Sequence, residues 1–163
     1  MTNTPFPRAG FFVRIGAIVY DILVILAVAM FAVGLALAVS VALHNLGVWV
    51  LAAEQDHGGR LSTNWLYRLY LLTVIVGFYV MFWTRGGQTL GMKAWRLRVQ
   101  NTNGQTISKR QAVIRFFASL LGLGNLWVLF SKQKLALQDK AAHCEVVRLT
   151  PEANQFKNWR KPS

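Results

Sequence analysis

The chain holds one cysteine, Cys144, among 163 residues. No internal disulfide can form, and no oxidising compartment is implied. A lone cysteine of this kind usually packs as a small buried hydrophobe. Carboxylates are also scarce: 6 Asp and Glu stand against 18 Lys and Arg, for a formal charge of +12. No nucleophile–base pair and no metal-ligand spacing emerges from this set, so no enzyme, cofactor or metal is expected. His44, Glu54, Asp56 and His57 are close in sequence but match no ligand spacing, and a solvated loop is the simpler reading. The stretch from Gly86 to Lys93 almost fits a phosphate loop. Met92 stands where that loop needs a lysine and no Ser or Thr follows, so nucleotide binding is excluded.

Charge is missing altogether from Ile22 to Leu43. The apolar run that begins near Arg14 is longer than the roughly 20 residues a helix needs to cross a bilayer. It also exceeds the apolar core of a cleaved leader, so an uncleaved first transmembrane helix is expected at about 14–43. Pro5, Pro7 and Gly10 disfavour helix before it. A second span is expected from Trp65 to Trp83, with Arg68 in its first turn able to reach out of the apolar layer. Hydrophobic residues make up 54% of the chain and mean hydropathy is +0.36, more apolar than a soluble domain of this size. The basic excess therefore points to anionic lipid at the cytoplasmic leaflet and not to nucleic acid.

Lys and Arg set the orientation. The loop between the two spans holds one, Arg60, whereas six lie between Thr84 and Arg110 and seven follow Phe130. Both termini and the middle segment are thus expected on the cytoplasmic side. Residues 111–131 are long enough to span, but Gly122, Gly124 and Asn125 interrupt them. A broken helical hairpin and a third span both remain open. Trp95, Leu97 and Val99 alternate with Arg96, Arg98 and Gln100, which is strand periodicity. Asn101 to Gly104 signals a turn, Gln105 to Ser108 is expected to return as a strand, and Glu145 to Leu149 to add another. The fold class is an α-helical membrane protein with a small cytoplasmic sheet, from strands within about 94–108 and 144–149, whose basic side chains face outward. Residues 1–149 form one domain, and 150–163 a basic, mobile, headgroup-seeking tail.

The residues that demand explanation are charges in apolar surroundings. Asp21 lies two helical turns inside the first span, where a charge costs at least about 2.5–3.5 kcal/mol at the helix centre. Arg14 is seven residues earlier on the same face, about 10 Å away along the axis. Tyr20 and Asn125 are candidate hydrogen-bond partners for Asp21. Asp139 follows the broken stretch, and Arg115 is expected to reach the inner interface.

In order along the chain, Arg14-x6-Asp21, then Gly87-Gln-Thr89-Leu-Gly91 before the strands, then Asp139 ahead of a hydrophobic strand, resemble the RDD family of bacterial membrane proteins. That family is named for one arginine and two aspartates, here matched by Arg14, Asp21 and Asp139. Asn103-Gly104, Arg115 and Ala141 to Val147 extend the resemblance from about Pro7 to Leu149, with His143-Cys144 where a Gly-Thr pair is common. The resemblance implies an integral protein of the cytoplasmic membrane, and exchange of sodium for protons has been proposed for some members, while others are linked only to secretion or to neighbouring genes. Three readings follow. In the first, Arg14 and Asp139 form an interior polar clamp. In the second, Asp21 is the exchanging carboxylate of a cation/proton transporter, Asp139 is its cytoplasmic relay, and Thr89, Tyr20, Arg115 and Asn125 are supporting residues. In the third, the protein is a membrane scaffold or assembly partner. Transport by so small a chain requires a homo-oligomer, for which Gly34, Ala38 and Ala42 offer a small-residue ridge.

Overall fold

The computed structural model describes residues 6–48, 56–120 and 124–155. The first helix, α1, runs over Phe11–Asn45, 35 residues that rise about 52 Å. No proline interrupts it, and it opens directly after Gly10. Helix α3 covers Trp65–Arg85 and ends two residues later than its aromatic border suggests. Among the described residues these two helices are long and apolar enough to cross a bilayer, and only 6% of the apolar window of each is buried. The core helix of a soluble domain has the opposite exposure. Met30 and Phe31, for example, are 75% and 77% exposed.

The chain divides into two compact units, Ile25–Gly77 and the combination of Met1–Val24 with Phe78–Ser163. In the first unit a short helix, α2 (His57–Thr63), is capped by Asp56, whose Oδ1 accepts from the Gly59 N–H at 2.5 Å. Buried Ser40 lies 2.9 Å from Nδ1 of His57, and the His44 and His57 rings meet edge to face. No group of three or more His, Cys, Asp and Glu residues with metal-binding geometry occurs among the described residues. Glu54 and most of the apolar patch 46–53 lie outside them. Arg68 turns back to donate from Nε and Nη2 to the Ser62 carbonyl.

The second unit holds the remaining elements. Helix α4 (Leu90–Ala94) leads into strand β1 (Leu97–Gln100), followed by α5 (Lys109–Leu120), α6 (Trp127–Phe130), α7 (Leu137–Ala141) and β2 (Glu145–Arg148). The two strands pair antiparallel, from Leu97 opposite Arg148 to Gln100 opposite Glu145. On the other side of β2, Arg8 bridges Val147, and the Ala9 N–H donates to the Val146 carbonyl at 2.9 Å.

Two sequence expectations fail here. Residues 105–108 do not return as a strand. The Asn101–Gly104 turn forms, but Ser108 then starts α5 by a reciprocal cap with Gln111: each side chain accepts the other's backbone N–H. The partner of β1 is therefore β2, about 45 residues away. The basic face of β1 also does not point outward, because all four of its residues are buried. Gly87, at φ +68°, lets the chain fold back so that the Val99 N–H reaches its carbonyl at 2.7 Å, with the Arg98 side chain laid across it.

The stretch 111–131 contains parts of two separate helices, and Gly122 lies outside the described residues. Helix α5 buries Ala112, Arg115 and Phe116, spaced i, i+3, i+4, and packs on α7. The start of the tail is tied down as well. Asn154 donates to the Lys93 carbonyl at 3.0 Å and accepts from Gln88 at 2.9 Å. Residues 156–163 are not described.

Candidate functional site

Asp139 sits at the third position of α7, and its carboxylate is wholly buried. There Oδ2 accepts from the Ala136 N–H at 3.1 Å, tying down a helix end that has no side-chain cap of its own. The same oxygen lies 2.8 Å from Nη1 of Arg14, which rises from the first turn of α1. The other oxygen accepts from Nη1 of Arg115 on α5. One carboxylate thus joins three helices. Arg14 also donates to the carbonyls of Ala9 and Lys134, both at 3.1 Å. Arg115 also reaches Sγ of Cys144 at 3.4 Å and stacks over the Trp83 ring, 5.1 Å from its centre.

Burial alone would raise the Asp139 carboxyl, but the charges of Arg115 and Arg14 and their hydrogen bonds hold it below the usual aspartate range. Burial pushes the Cys144 thiol up, and the Arg115 charge only partly opposes this, so the thiol stays protonated. Arg115 is 6% exposed. Its place is the interior because Asp139 supplies a counter-charge there.

Asp21 is buried too, but its neighbours differ. Its Oδ2 accepts the Thr89 hydroxyl at 2.5 Å, and its Oδ1 accepts the Gly91 N–H at 2.8 Å. Thr89 is the N-cap of α4, and its oxygen accepts the Met92 N–H at 3.2 Å. The hydroxyl therefore caps a helix and holds a carboxylate together. Gly91 is dictated by space: a Cβ there would overlap the Ala17 carbonyl and stand 2.8 Å from the Asp21 carboxylate. Tyr20 and Asn125 are not the partners of Asp21. Tyr20 is 52% exposed and lies edge-on to Trp95, and Asn125 accepts from Nε2 of Gln138 at 2.8 Å. Arg14 turns to Asp139.

Asp21 borders a cavity of about 300 Å³, also lined in part by Arg14, Tyr79, Trp83 and Arg115. Among the described residues, Trp83 Nε1 and Arg115 Nε are buried donors without a hydrogen-bond partner. A third polar node, Glu145, has no exposed surface, is paired with Arg8 at 2.9 Å and accepts from Gln100 at 3.4 Å.

Two long apolar helices, the first of which carries buried Arg14 and Asp21, together with a two-stranded sheet, define a membrane-type protein. The RDD family model matches residues 8–143, and the chain belongs to the RDD family. No curated protein and no solved structure matches it.

Sequence reasoning singled out Arg14, Asp21 and Asp139 and named Thr89 and Arg115 as supporting residues, but it did not pair Thr89 with Asp21 or Arg115 with Asp139, and it missed Gly91 and the Arg8–Glu145 pair. Thr89 carried a readable signal. A threonine directly before a short apolar turn is a helix-cap pattern, and its oxygen then faces whatever packs on that helix end.

Proposed function

We propose that this is a multi-pass protein of the bacterial cytoplasmic membrane, with both termini inside, in which Asp21 exchanges a proton for a monovalent cation. The observation that carries this reading is the difference between the two aspartates. Asp139 is held by two guanidiniums and stays charged. Asp21 lines a cavity and is met by a hydroxyl and a backbone N–H, neither of which carries charge. Such a carboxylate can share its negative charge with an incoming proton or cation without first breaking an ion pair.

The orientation is supported by the distribution of Lys and Arg and by exposed Lys109, Arg110, Lys132 and Lys140, which suit anionic headgroups. Two spans do not enclose a path, so the working unit is a homo-oligomer. Gly34, Ala38 and Ala42 are exposed on one face of α1, where small residues permit close helix approach.

A scaffold role is the second reading. It is favoured by the commitment of Arg14, Asp139 and Arg115 to one another, which suits a fixed clamp better than a relay. Proteoliposomes separate the two. Under exchange, an imposed sodium or potassium gradient moves protons, and Asp21→Asn abolishes the flux while the protein stays folded. A wild-type protein without flux, or a D21N variant with full flux, sinks the exchange reading.

A further inference from the structure

Helices α5 and α6 expose apolar side chains where a soluble surface would be polar. On α5, Lys109, Arg110, Val113, Ile114 and Phe117 share the exposed face, and Ala112, Arg115 and Phe116 are buried on the other. On α6, Trp127, Leu129 and Phe130 are exposed, Phe130 at 79%, and Val128 is buried. Basic residues stand at both ends of this apolar stretch, Lys109 and Arg110 before it and Lys132 and Lys134 after it. Lys140 lies over the Trp127 ring, 5.3 Å from its centre.

Two sets of contacts fix the depth of this surface. The Phe116 ring lies 5.5 Å from that of Tyr79, and Arg115 stacks on Trp83, so α5 runs beside the last two turns of α3. The outer face of α5 therefore continues the exposed apolar surface of that helix. The Leu137 N–H donates to the Gly124 carbonyl at 3.1 Å, and Gln138 Nε2 donates to Asn125 at 2.8 Å. The stretch that carries α6 thus leaves and returns at one level. Helix α5 by itself, 12 residues or about 18 Å, falls short of the roughly 30 Å apolar layer. An amphipathic segment with basic ends that does not cross a bilayer suits the interface of a single leaflet.

We propose that α5 and α6 dock as a wedge into the leaflet at the Arg85 end of α3, and that this wedge binds anionic phospholipid. Phe117, Trp127, Leu129 and Phe130 enter the acyl chains, and Lys109, Arg110, Lys132 and Lys134 meet the headgroups. Charge complementarity selects the lipid: between Lys109 and Lys140 the one carboxylate, Asp139, is wholly buried, so the exposed charge of this segment is all positive. The wedge rests on the membrane reading above and not on cation exchange.

The test uses the full chain in nanodiscs of mixed phosphatidylcholine and phosphatidylglycerol. Spin labels are attached singly through Phe130→Cys, Lys132→Cys and Phe31→Cys, with wild type, whose Cys144 is buried, as the labelling control. The expected result is that the labels at positions 130 and 31 are relaxed by oxygen more than by a water-soluble nickel chelate, and the label at 132 the reverse. Spin-labelled phosphatidylglycerol should also be held at the protein in preference to phosphatidylcholine, and Lys132→Gln with Lys134→Gln should lower that preference at least about threefold. A lipid signal at 31 with a water signal at 130 overturns the wedge alone. Water signals at both positions remove the membrane reading and the wedge with it. A label at 130 shielded from both relaxants overturns lipid as the occupant in favour of a second copy of the chain. An unchanged lipid preference in the folded double variant overturns the headgroup contacts.

Discussion

Asp139 and Asp21 are the same residue type at similar burial, and their neighbours give them different properties. Asp139 balances two buried arginines. Replacing it with asparagine leaves two guanidiniums sharing no counter-charge, and breaking a buried pair in this way costs about 3–5 kcal/mol. Asp139→Asn is therefore expected to lower the melting temperature sharply in detergent. The pH dependence has a definite sign. The folded carboxyl lies below its unfolded value of about 3.9. Its contribution is complete above that value and is lost as pH falls through the lower folded one. The stability gap between wild type and D139N should hold constant from pH 8 to pH 5 and close only below about pH 4; a gap that shrinks between pH 8 and 6 refutes the clamp. These charged residues were legible in the sequence because charge in an apolar run is costly and needs a reason. The Arg14–Asp139 clamp was among the readings they offered, and the two do meet; Arg115 as a second partner of Asp139 and the contacts of Asp21 were not legible. Arg14 and Asp21 share a helix face, which drew attention to each other, whereas the contacts that form join residues 68 and 70 apart for Asp21 and 120 apart for Arg14 and Lys134. Spacing along one helix carries no information about what packs against it.

At the scale of elements, α4 is only five residues long and depends on its ends. Thr89 caps it and donates to Asp21 in the same geometry. Thr89→Val keeps the shape but removes both interactions. The cap is worth about 0.5–2 kcal/mol, and the bond to a charged acceptor about 1.5–3 kcal/mol. Thr89→Ser keeps both. Thermal denaturation should thus rank serine near wild type and valine well below it; valine near wild type with serine well below it would show that the methyl group and not the hydroxyl matters. The long helices were readable from hydropathy, since nothing local competes with a charge-free run. The strands were readable in part. Alternation in 95–100 marked β1, but a turn signal was taken to imply a hairpin, while the Ser108–Gln111 capping box directed the chain into α5. Strand pairing is non-local, so β1 waits for β2, beyond α5, α6 and α7. Arg98 and Gln100 looked solvent-facing by type, yet Gln100 is buried against Glu145, a residue that nothing in the sequence near β1 announces.

For the whole molecule, membership of the RDD family and two exposed apolar helices fix the class. The proposed exchange depends on one buried carboxylate that pairs with a hydroxyl and a backbone N–H and not with an arginine. Direct detection of exchange needs no transport path and no reconstituted gradient. Purified protein in weakly buffered detergent, equilibrated in choline gluconate, is mixed with sodium gluconate while proton release is followed. If Asp21 trades a proton for the cation, release saturates at no more than about one proton per protomer, as one titrating group requires, and vanishes in a folded D21N variant. Wild-type protein that releases no proton with sodium or potassium, or a D21N variant that releases as many as wild type, contradicts the account.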